Sequence, residues 1–126
     1  MLLKVVIIED NPITVRSLVE TIKWETLGCE VAGTALDGEA GCQLILSTRP
    51  DIILTDIRMP KCDGLEMIET VRQSVPDCKV IIITGYDQFQ YASRAIKLAI
   101  FDYLLKPIDS EELINCVRRA VDATLS

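Results

Sequence analysis

The sequence predicts an α/β fold, a single doubly wound sheet of five parallel strands with helices on both faces. Short apolar runs rich in β-branched residues alternate five times with longer segments whose apolar residues recur at helical spacing. Near-continuous apolar strands joined by helices are typical of a parallel sheet that is buried on both faces. Right-handed crossovers leave few arrangements for five such units, and the flavodoxin-like strand order 2-1-3-4-5 fits them best.

The five predicted strands are short apolar segments that stop abruptly at polar residues. The first is interrupted only by Lys4, the second alternates in part, and the third ends on Asp56. The fourth, Lys-Val-Ile-Ile-Ile, is the clearest buried strand in the chain. The segments are residues 3–8, 29–35, 51–56, 79–83 and 101–105.

Each predicted strand is followed by a predicted helix. Asn11-Pro12 is a helix start, a side-chain cap followed by the residue suited to the first turn. Asp109 and Glu112 have the spacing of a capping box at the last helix. Helical spacing predicts these inward-facing residues: Val15, Leu18, Val19, Ile22; Ala40, Gly41, Leu44, Ile45; Leu65, Ile68, Val71, Val75; Phe89, Ala92, Ile96, Ala99; Leu113, Ile114, Val117, Ala120, Val121. We expect Pro50 and Pro76 to end the second and third helices.

Composition excludes several classes of function. The 126 residues are enough for one domain, and a net charge of -6 disfavours direct binding to a phosphate backbone. Histidine is absent, which excludes a histidine nucleophile or an imidazole-ligated metal within this chain. Five scattered cysteines without a Cys-x-x-Cys pair indicate reduced thiols. No apolar run has the length of a membrane helix and no signal peptide is evident, so we expect a cytoplasmic location and no membrane contact.

Polar residues end four of the five predicted strands. Glu9 and Asp10 follow the first strand, Asp56 the third, Thr84 the fourth and Lys106 the fifth. Ligands of open parallel sheets bind beyond the carboxyl ends of the strands, near the point where strand order reverses. The predicted strand order therefore brings these five side chains to one edge of the sheet.

Three carboxylates at one edge repel one another. At a separation of about 5 Å and an effective dielectric constant near 20, each pair would cost roughly 3 kcal/mol. Either a raised pKa or a bound cation relieves this repulsion. Oxygen ligands on a partly open loop suit Mg²⁺ (or Mn²⁺). The residues predicted at this edge include no imidazole or thiolate ligand for zinc or copper.

The same residues suit phosphoryl transfer to a carboxylate. A phosphoryl group passing to Asp56 spreads charge over its oxygens. Magnesium can neutralise one oxygen, the Lys106 ammonium a second, and the Thr84 hydroxyl can donate a hydrogen bond to a third. Aspartyl-phosphate formation is established chemistry, and its product carries about -2 charge.

Four motifs resemble the receiver domain of two-component response regulators. They are Glu9-Asp10, Thr-Asp-Ile-Arg-Met-Pro-x-x-Asp-Gly around Asp56, Thr84-Gly85 and Lys106-Pro107, and the resemblance covers essentially the whole chain. Two further stretches resemble the subgroup that is usually followed by an AraC-type helix-turn-helix domain. These are Ile-Lys-Trp-Glu-Thr-Leu-Gly from residue 22 and Thr-Gly-Tyr-Asp-Gln-Phe-Gln-Tyr-Ala from residue 84.

The resemblance implies a phosphoacceptor and a magnesium site. Asp56 would take a phosphoryl group from the phosphohistidine of a sensor histidine kinase. Asp10 and Asp56 would ligate Mg²⁺ directly, with the backbone carbonyl of Arg58 as a third ligand and Glu9 acting through water. Lys106 would hold a phosphate oxygen, and the resemblance also implies a cis Lys106–Pro107 bond.

The resemblance also implies a conformational switch. Thr84 and Tyr103 would be the switch pair, the hydroxyl drawn to the phosphate and the ring turning inward. Arg58 and Tyr86, two residues after Asp56 and Thr84, would tune the rate of dephosphorylation. An alternative interpretation of Tyr103 is an ordinary core aromatic.

The implied protein is a signalling module rather than an enzyme. We expect residues 1–126 to be one receiver domain with autocatalytic phosphotransfer and autodephosphorylation. Its output would be transcription regulation through a DNA-binding domain outside this chain, with a possible phosphorylation-dependent homodimer. DNA contact would occur only through that separate domain.

Two positions depart from the family pattern. Ala99-Ile100 stand where glycine then alanine are common. A left-handed cap at Ala99 would cost about 1–2 kcal/mol, and Ile100 would add apolar surface to the face used for dimers. Gly41 within the second helix should cost about 1 kcal/mol relative to alanine.

The sequence disfavours three other functions. A phosphohydrolase of the haloacid-dehalogenase type needs a second carboxylate two residues after the nucleophile, where this chain has Arg58. A flavin or nucleotide binder needs a glycine- or hydroxyl-rich loop after the first strand, where this chain has Glu9 and Asp10. A degenerate receiver that acts only in binding is disfavoured because no site residue is missing.

Cys62, in the loop after Asp56, is either a small packed residue or a redox sensor.

Overall fold

The computed structural model describes residues 2–85 and 89–126, without the side chains of residues 89–92. Its five parallel strands form one sheet in the order β2-β1-β3-β4-β5, so the predicted fold class is confirmed. The strands are β1 (Leu3–Ile8), β2 (Cys29–Ala35), β3 (Ile52–Thr55), β4 (Lys79–Thr84) and β5 (Asp102–Leu105). Each observed strand overlaps the segment predicted for it, and β1, β3 and β4 are buried along nearly their whole length.

Helices connect the strands and follow the last one. They are α1 (Pro12–Thr21), a short 3-10 helix (Trp24–Leu27), α2 (Gly38–Thr48), α3 (Gly64–Val71), α4 (Phe89–Lys97) and α5 (Ser110–Leu125). α3 ends before Pro76 because its last turn tightens, with the Ser74 amide donating to the Val71 carbonyl at 2.9 Å. Within the described residues, every helix is too short or too polar to cross a bilayer.

The capping box forms at a different helix from the one predicted. At α5, Asp109 accepts a hydrogen bond from the Glu111 amide instead of the Glu112 amide, so the reciprocal pair with Glu112 is not made. At α3, the Glu66 amide donates to Asp63 at 2.7 Å and the Asp63 amide donates to Glu66 at 3.0 Å. The capping box therefore fixes the start of α3, directly after the loop that follows Asp56.

Two apolar clusters fill the two sides of the sheet. One packs α1 and α5 against one face, and the other packs α2 and α3 against the opposite face. Three of the predicted inward-facing residues are wrong, since Val19 is 37% exposed, Ile96 is 80% exposed and Ala99 is also exposed. α4 buries Ala95 instead of its neighbour Ile96, because adjacent helical residues point about 100° apart. Phe89 and Ala92, also predicted to face inward, have side chains outside the described part of the structure.

Gly41 and Ala99-Ile100 are the two departures from the family pattern. Packing against Met67 describes the first, and the backbone conformation of Ala99 describes the second. A Cβ on Gly41 would lie 2.5 Å from the Met67 sulfur and 3.1 Å from Ile8 Cγ2, so an alanine here would require the Met67 side chain to shift. Ala99 adopts φ 55°, the left-handed conformation expected at the end of α4. Ile100 is half-buried against the cluster that α2 and α3 cover, so its side chain adds less exposed surface than expected.

Candidate functional site

Backbone hydrogen bonds place the polar strand-end residues at one edge of the sheet. The backbone hydrogen bonds of the sheet continue one residue past β1, β3 and β5. The Glu9 amide donates to the Ala35 carbonyl at 3.0 Å, and the Asp56 amide donates to the Ile8 carbonyl at 3.0 Å. The Lys106 amide donates to the Thr84 carbonyl at 2.9 Å. The sheet therefore sets the position of each residue before any side chain makes contact.

Lys106 joins two of the three acids. Its ammonium lies 2.8 Å from Asp56 Oδ2 and forms a second, direct ion pair with Glu9 Oε1. The side chains of Glu9 and Asp56 are only 5% and 8% exposed, and that of Lys106 is 29% exposed. A divalent metal is therefore not the only charge that can stabilise the cluster, since the Lys106 ammonium already neutralises part of its negative charge.

The remaining oxygens of the buried acids accept backbone hydrogen bonds. Glu9 Oε2 accepts from the Asn11 amide at 2.7 Å, and Asp56 Oδ1 accepts from the Ile57 amide at 2.7 Å. Within the described residues, no buried side-chain nitrogen or oxygen lacks a partner. Both carboxylates are thus held in fixed orientations before any ligand arrives.

The acid cluster fits a hard divalent cation. One carboxylate oxygen from each of Glu9, Asp10 and Asp56 lies within 4.8 Å of the others. Glu9 and Asp56 are buried whereas Asp10 is exposed, so the cluster opens to solvent on the side of Asp10. Mg²⁺ binds through one or two carboxylates and keeps several waters, which matches this partly open arrangement. Arg58 lies exposed in the loop after Asp56, and the role expected of its carbonyl stays a prediction.

Burial and the ion pairs shift two pKa values in the site. Burial raises the pKa of Glu9, and the hydrogen bond from Lys106 opposes this shift. Burial alone would lower the pKa of Lys106, but its bonds to Asp56 and Glu9 raise that pKa overall. Lys106 is therefore an ammonium at neutral pH, whereas Glu9 binds a proton more readily in the folded chain than in the unfolded chain.

Thr84 and Tyr103 lie on the same face of the sheet. Tyr103 pairs with Ile82 across β4 and β5, and Thr84 is two residues after Ile82. Thr84 is fully buried, while Tyr103 is half-buried against the cluster that includes α2 and α3. This position is compatible with both interpretations of Tyr103, and its role in switching stays a prediction. Tyr86 lies outside the described residues.

Sequence reasoning missed the role of Gly64. Its amide donates to the Ile57 carbonyl at 2.7 Å, and a Cβ there would lie 2.0 Å from the Asp56 carbonyl oxygen. In the sequence, Asp63-Gly64 stands out only as the end of the motif around Asp56. The structure also has the cis Lys106–Pro107 bond that the resemblance implied.

Replacing Lys106 with methionine is expected to lower the free energy of unfolding by about 2 kcal/mol at neutral pH without magnesium. The change leaves Glu9 and Asp56 buried without their counter-ion. The loss should shrink at pH 5, because Glu9 can then take up a proton, and should shrink when Mg²⁺ is added. Urea unfolding at both pH values measures these differences.

Lys23→Met is the matched control for Lys106→Met. Lys23 is exposed, and its substitution should change stability by no more than about 0.5 kcal/mol. Equal losses in the two variants would show that the ion pairs of Lys106 do not stabilise the site.

Known proteins resemble this chain in sequence and in structure. A family model described as the response regulator receiver domain matches residues 5–118. The REC domain of AraT, a response regulator from Geobacillus stearothermophilus, is 38% identical with a TM-score of 0.89, and the match covers 100% of both chains. A two-component transcriptional regulator AraC from Clostridium phytofermentans ISDg is 35% identical with a TM-score of 0.88, covering 98% of this chain and 95% of that one.

Curated relatives are longer than this chain. The uncharacterized transcriptional regulatory protein YesN of Bacillus subtilis is 32% identical over 94% of this chain, which is 32% of its own length. The transcriptional regulatory protein HptR of Staphylococcus aureus strain N315 is 36% identical over 97% of this chain, which is 48% of its own length. The matched residues therefore make up about a third of the length of one relative and about half of the length of the other.

Proposed function

Because this chain belongs to the response regulator receiver domain family, we propose that Asp56 accepts a phosphoryl group from the phosphohistidine of a sensor histidine kinase. The observation that supports this proposal best is the contact of 2.8 Å between Lys106 and the buried Asp56 carboxylate, beside two further acids. The chain is then a signalling domain in a two-component pathway. It catalyses its own phosphotransfer and dephosphorylation rather than the turnover of a separate substrate.

The residues of the acid cluster have distinct roles in this proposal. Asp10, Asp56 and the Arg58 carbonyl would hold Mg²⁺ or Mn²⁺, with Glu9 acting through water. The bound cation would supply charge neutralisation for the incoming phosphoryl oxygens. An oxygen of Asp56 attacks phosphorus as the bond from phosphorus to the histidine nitrogen breaks, and the product is an acyl phosphate.

Phosphorylation of Asp56 should change the contacts of Lys106 more than those of the other site residues. Before phosphorylation its ammonium is shared between Asp56 and Glu9. The phosphorylated site carries about -2 charge on its phosphoryl group, which competes for the same ammonium. We propose that Lys106 moves to a phosphoryl oxygen, and that the Thr84 hydroxyl and the Tyr103 ring follow as a switch.

The output is proposed to be control of transcription. The names of the relatives describe transcriptional regulators, and the chain spans only part of their length. A DNA-binding domain outside this chain, of AraC type, would read the state of the switch, so that DNA contact occurs only there. A phosphorylation-dependent homodimer and a cytoplasmic location complete the proposal.

Labelling with acetyl phosphate tests the proposed chemistry and its need for a metal. Wild-type protein is expected to take up about one phosphoryl group per chain in the presence of Mg²⁺ or Mn²⁺. Chelation with EDTA should abolish uptake, and excess Mg²⁺ should restore it, because the acids repel an unneutralised phosphoryl group. Autoradiography of the protein gel measures the label.

The chemical stability of the label identifies the bond. An acyl phosphate is lost in alkali and in hydroxylamine, whereas a phosphate ester of serine or threonine resists hydroxylamine. A hydroxylamine-resistant label, or undiminished labelling in EDTA, would contradict the proposal.

A further inference from the structure

Two of the five cysteines differ from the others in burial. Cys29, Cys78 and Cys116 are buried in the core. Cys42 on α2 and Cys62 in the loop after Asp56 are only half-buried. The two half-buried thiols come from segments that are separate in sequence but adjacent in the fold.

The sulfur of Cys62 faces the side of α2 that also presents Cys42. A Cβ built on Gly38 would lie 2.3 Å from the sulfur of Cys62 and 2.3 Å from its carbonyl oxygen. Cys42 is one helical turn after Gly38, so its side chain lies on the same side of α2. The Cys42 thiol approaches the Met67 carbonyl at 4.0 Å, and each of the two thiols contributes to the pKa shift of the other.

Backbone geometry and an ion pair hold the Cys62 loop against α2. Lys61 has φ 75°, a left-handed conformation, and the Cys62 amide donates to the Pro60 carbonyl at 2.9 Å. The Gly38 amide approaches the same carbonyl at 3.4 Å, and Lys61 pairs with Asp37 at 3.8 Å. These contacts keep the two thiols together without a covalent bond.

We propose that Cys42 and Cys62 form a reversible intramolecular disulfide, with a low-molecular-weight disulfide such as oxidised glutathione as the oxidant. One thiolate attacks glutathione disulfide, forming a mixed disulfide and releasing one glutathione thiol. The second protein thiolate attacks the protein sulfur of that mixed disulfide and releases a second glutathione thiol. The protein loses two protons and two electrons, and one glutathione disulfide takes them up to become two thiols.

The ring closed by this disulfide contains β3 and Asp56. The bond would tie α2 to the segment between Asp56 and α3, which includes Arg58. Formation of the disulfide does not depend on phosphorylation of Asp56, so either proposal can fail while the other stands.

Thiol chemistry makes the exchange selective and dependent on pH. Burial raises the pKa of Cys42 and of Cys62, and the charges of Glu66 and Asp63 add to the shift at Cys62. The pair is therefore mostly thiol at neutral pH, and the reaction should accelerate as pH rises. Burial raises the pKa of Cys78 and of Cys116 to about 12, so these thiols should stay unreactive in the folded protein.

Peptide mapping of the oxidised native protein tests the pair. The folded protein is incubated with oxidised glutathione, its free thiols are blocked after unfolding in acid, and its peptides are analysed by mass spectrometry. We expect a linked peptide containing Cys42 and Cys62, which dithiothreitol reverses, with the other three cysteines still reduced. A native protein that carries only glutathione adducts, or only disulfides between chains, would overturn the proposal.

Single substitutions distinguish a true pair from two independent reactive thiols. Cys42→Ser and Cys62→Ser are each expected to stop at the mixed disulfide with glutathione on the remaining partner. Cross-linking that persists in either variant would overturn the pairing. Should either variant fail to fold, the linkage mapped in the wild-type protein still decides the question.

Discussion

Asp56→Asn is expected to reduce phosphoryl labelling by acetyl phosphate to background. An asparagine amide has no carboxylate to attack phosphorus, so no acyl phosphate can form. The side chain keeps its shape, and its carbonyl oxygen can still accept the hydrogen bond from the Ile57 amide, which lies 2.7 Å from Asp56 Oδ1. The variant should therefore fold while losing the chemistry. Labelling in Mg²⁺ and urea unfolding measure the two properties separately.

Asp77→Asn is the matched control for Asp56→Asn. Asp77 is an exposed acid before the start of β4, at the opposite edge of the sheet from the site. Its variant should label like the wild-type protein. A hydroxylamine-sensitive label that survives in Asp56→Asn would show that the phosphoacceptor is another residue.

Binding of beryllofluoride is a second measurement that distinguishes the wild-type protein from Asp56→Asn. As a phosphoryl mimic it should raise the melting temperature of the wild-type protein with Mg²⁺ and leave that of Asp56→Asn unchanged, because only the carboxylate can bind it. Size-exclusion chromatography of the same samples reports whether the proposed homodimer accompanies occupation of the site.

Gly64→Ala is expected to lower the free energy of unfolding by about 3 kcal/mol. The added Cβ would lie 2.0 Å from the Asp56 carbonyl oxygen and 3.2 Å from the Thr55 hydroxyl. Asp56 cannot move aside freely, because its amide is paired with the Ile8 carbonyl at 3.0 Å. Strain at this position should also displace the Asp56 carboxylate, so that labelling falls together with stability. Urea unfolding and acetyl phosphate labelling check the two effects.

Gly85→Ala is the matched control for Gly64→Ala, because it also replaces a glycine beside the site. Among the described residues, a Cβ on Gly85 meets nothing within 4 Å, so the substitution should be neutral or stabilise by about 0.4–1 kcal/mol through the unfolded chain. Comparable destabilisation in the two variants would mean that backbone freedom, rather than the contact with Asp56, decides the effect at Gly64.

The pattern of apolar residues predicted the fold class and the strand order. β4 has the longest β-branched run, and its burial on both faces is encoded in its own residues. Helix faces were less predictable, as Ile96 shows, because amphipathic spacing leaves the rotation of a short helix uncertain by one residue. The choice between two possible capping boxes was also outside sequence reasoning, since both Asp63 and Asp109 have a glutamate three residues later.

By itself, the sequence determined that Glu9, Asp10, Asp56, Thr84 and Lys106 meet at one edge, because each lies at or just after the end of a strand and parallel strands end together. Only the tertiary structure decided that Lys106 bridges Glu9 and Asp56, that Gly64 must lack a side chain, and that Cys42 lies beside Cys62. These contacts join residues on different elements. Their distances depend on how whole helices and loops pack against the sheet, which no local pattern encodes.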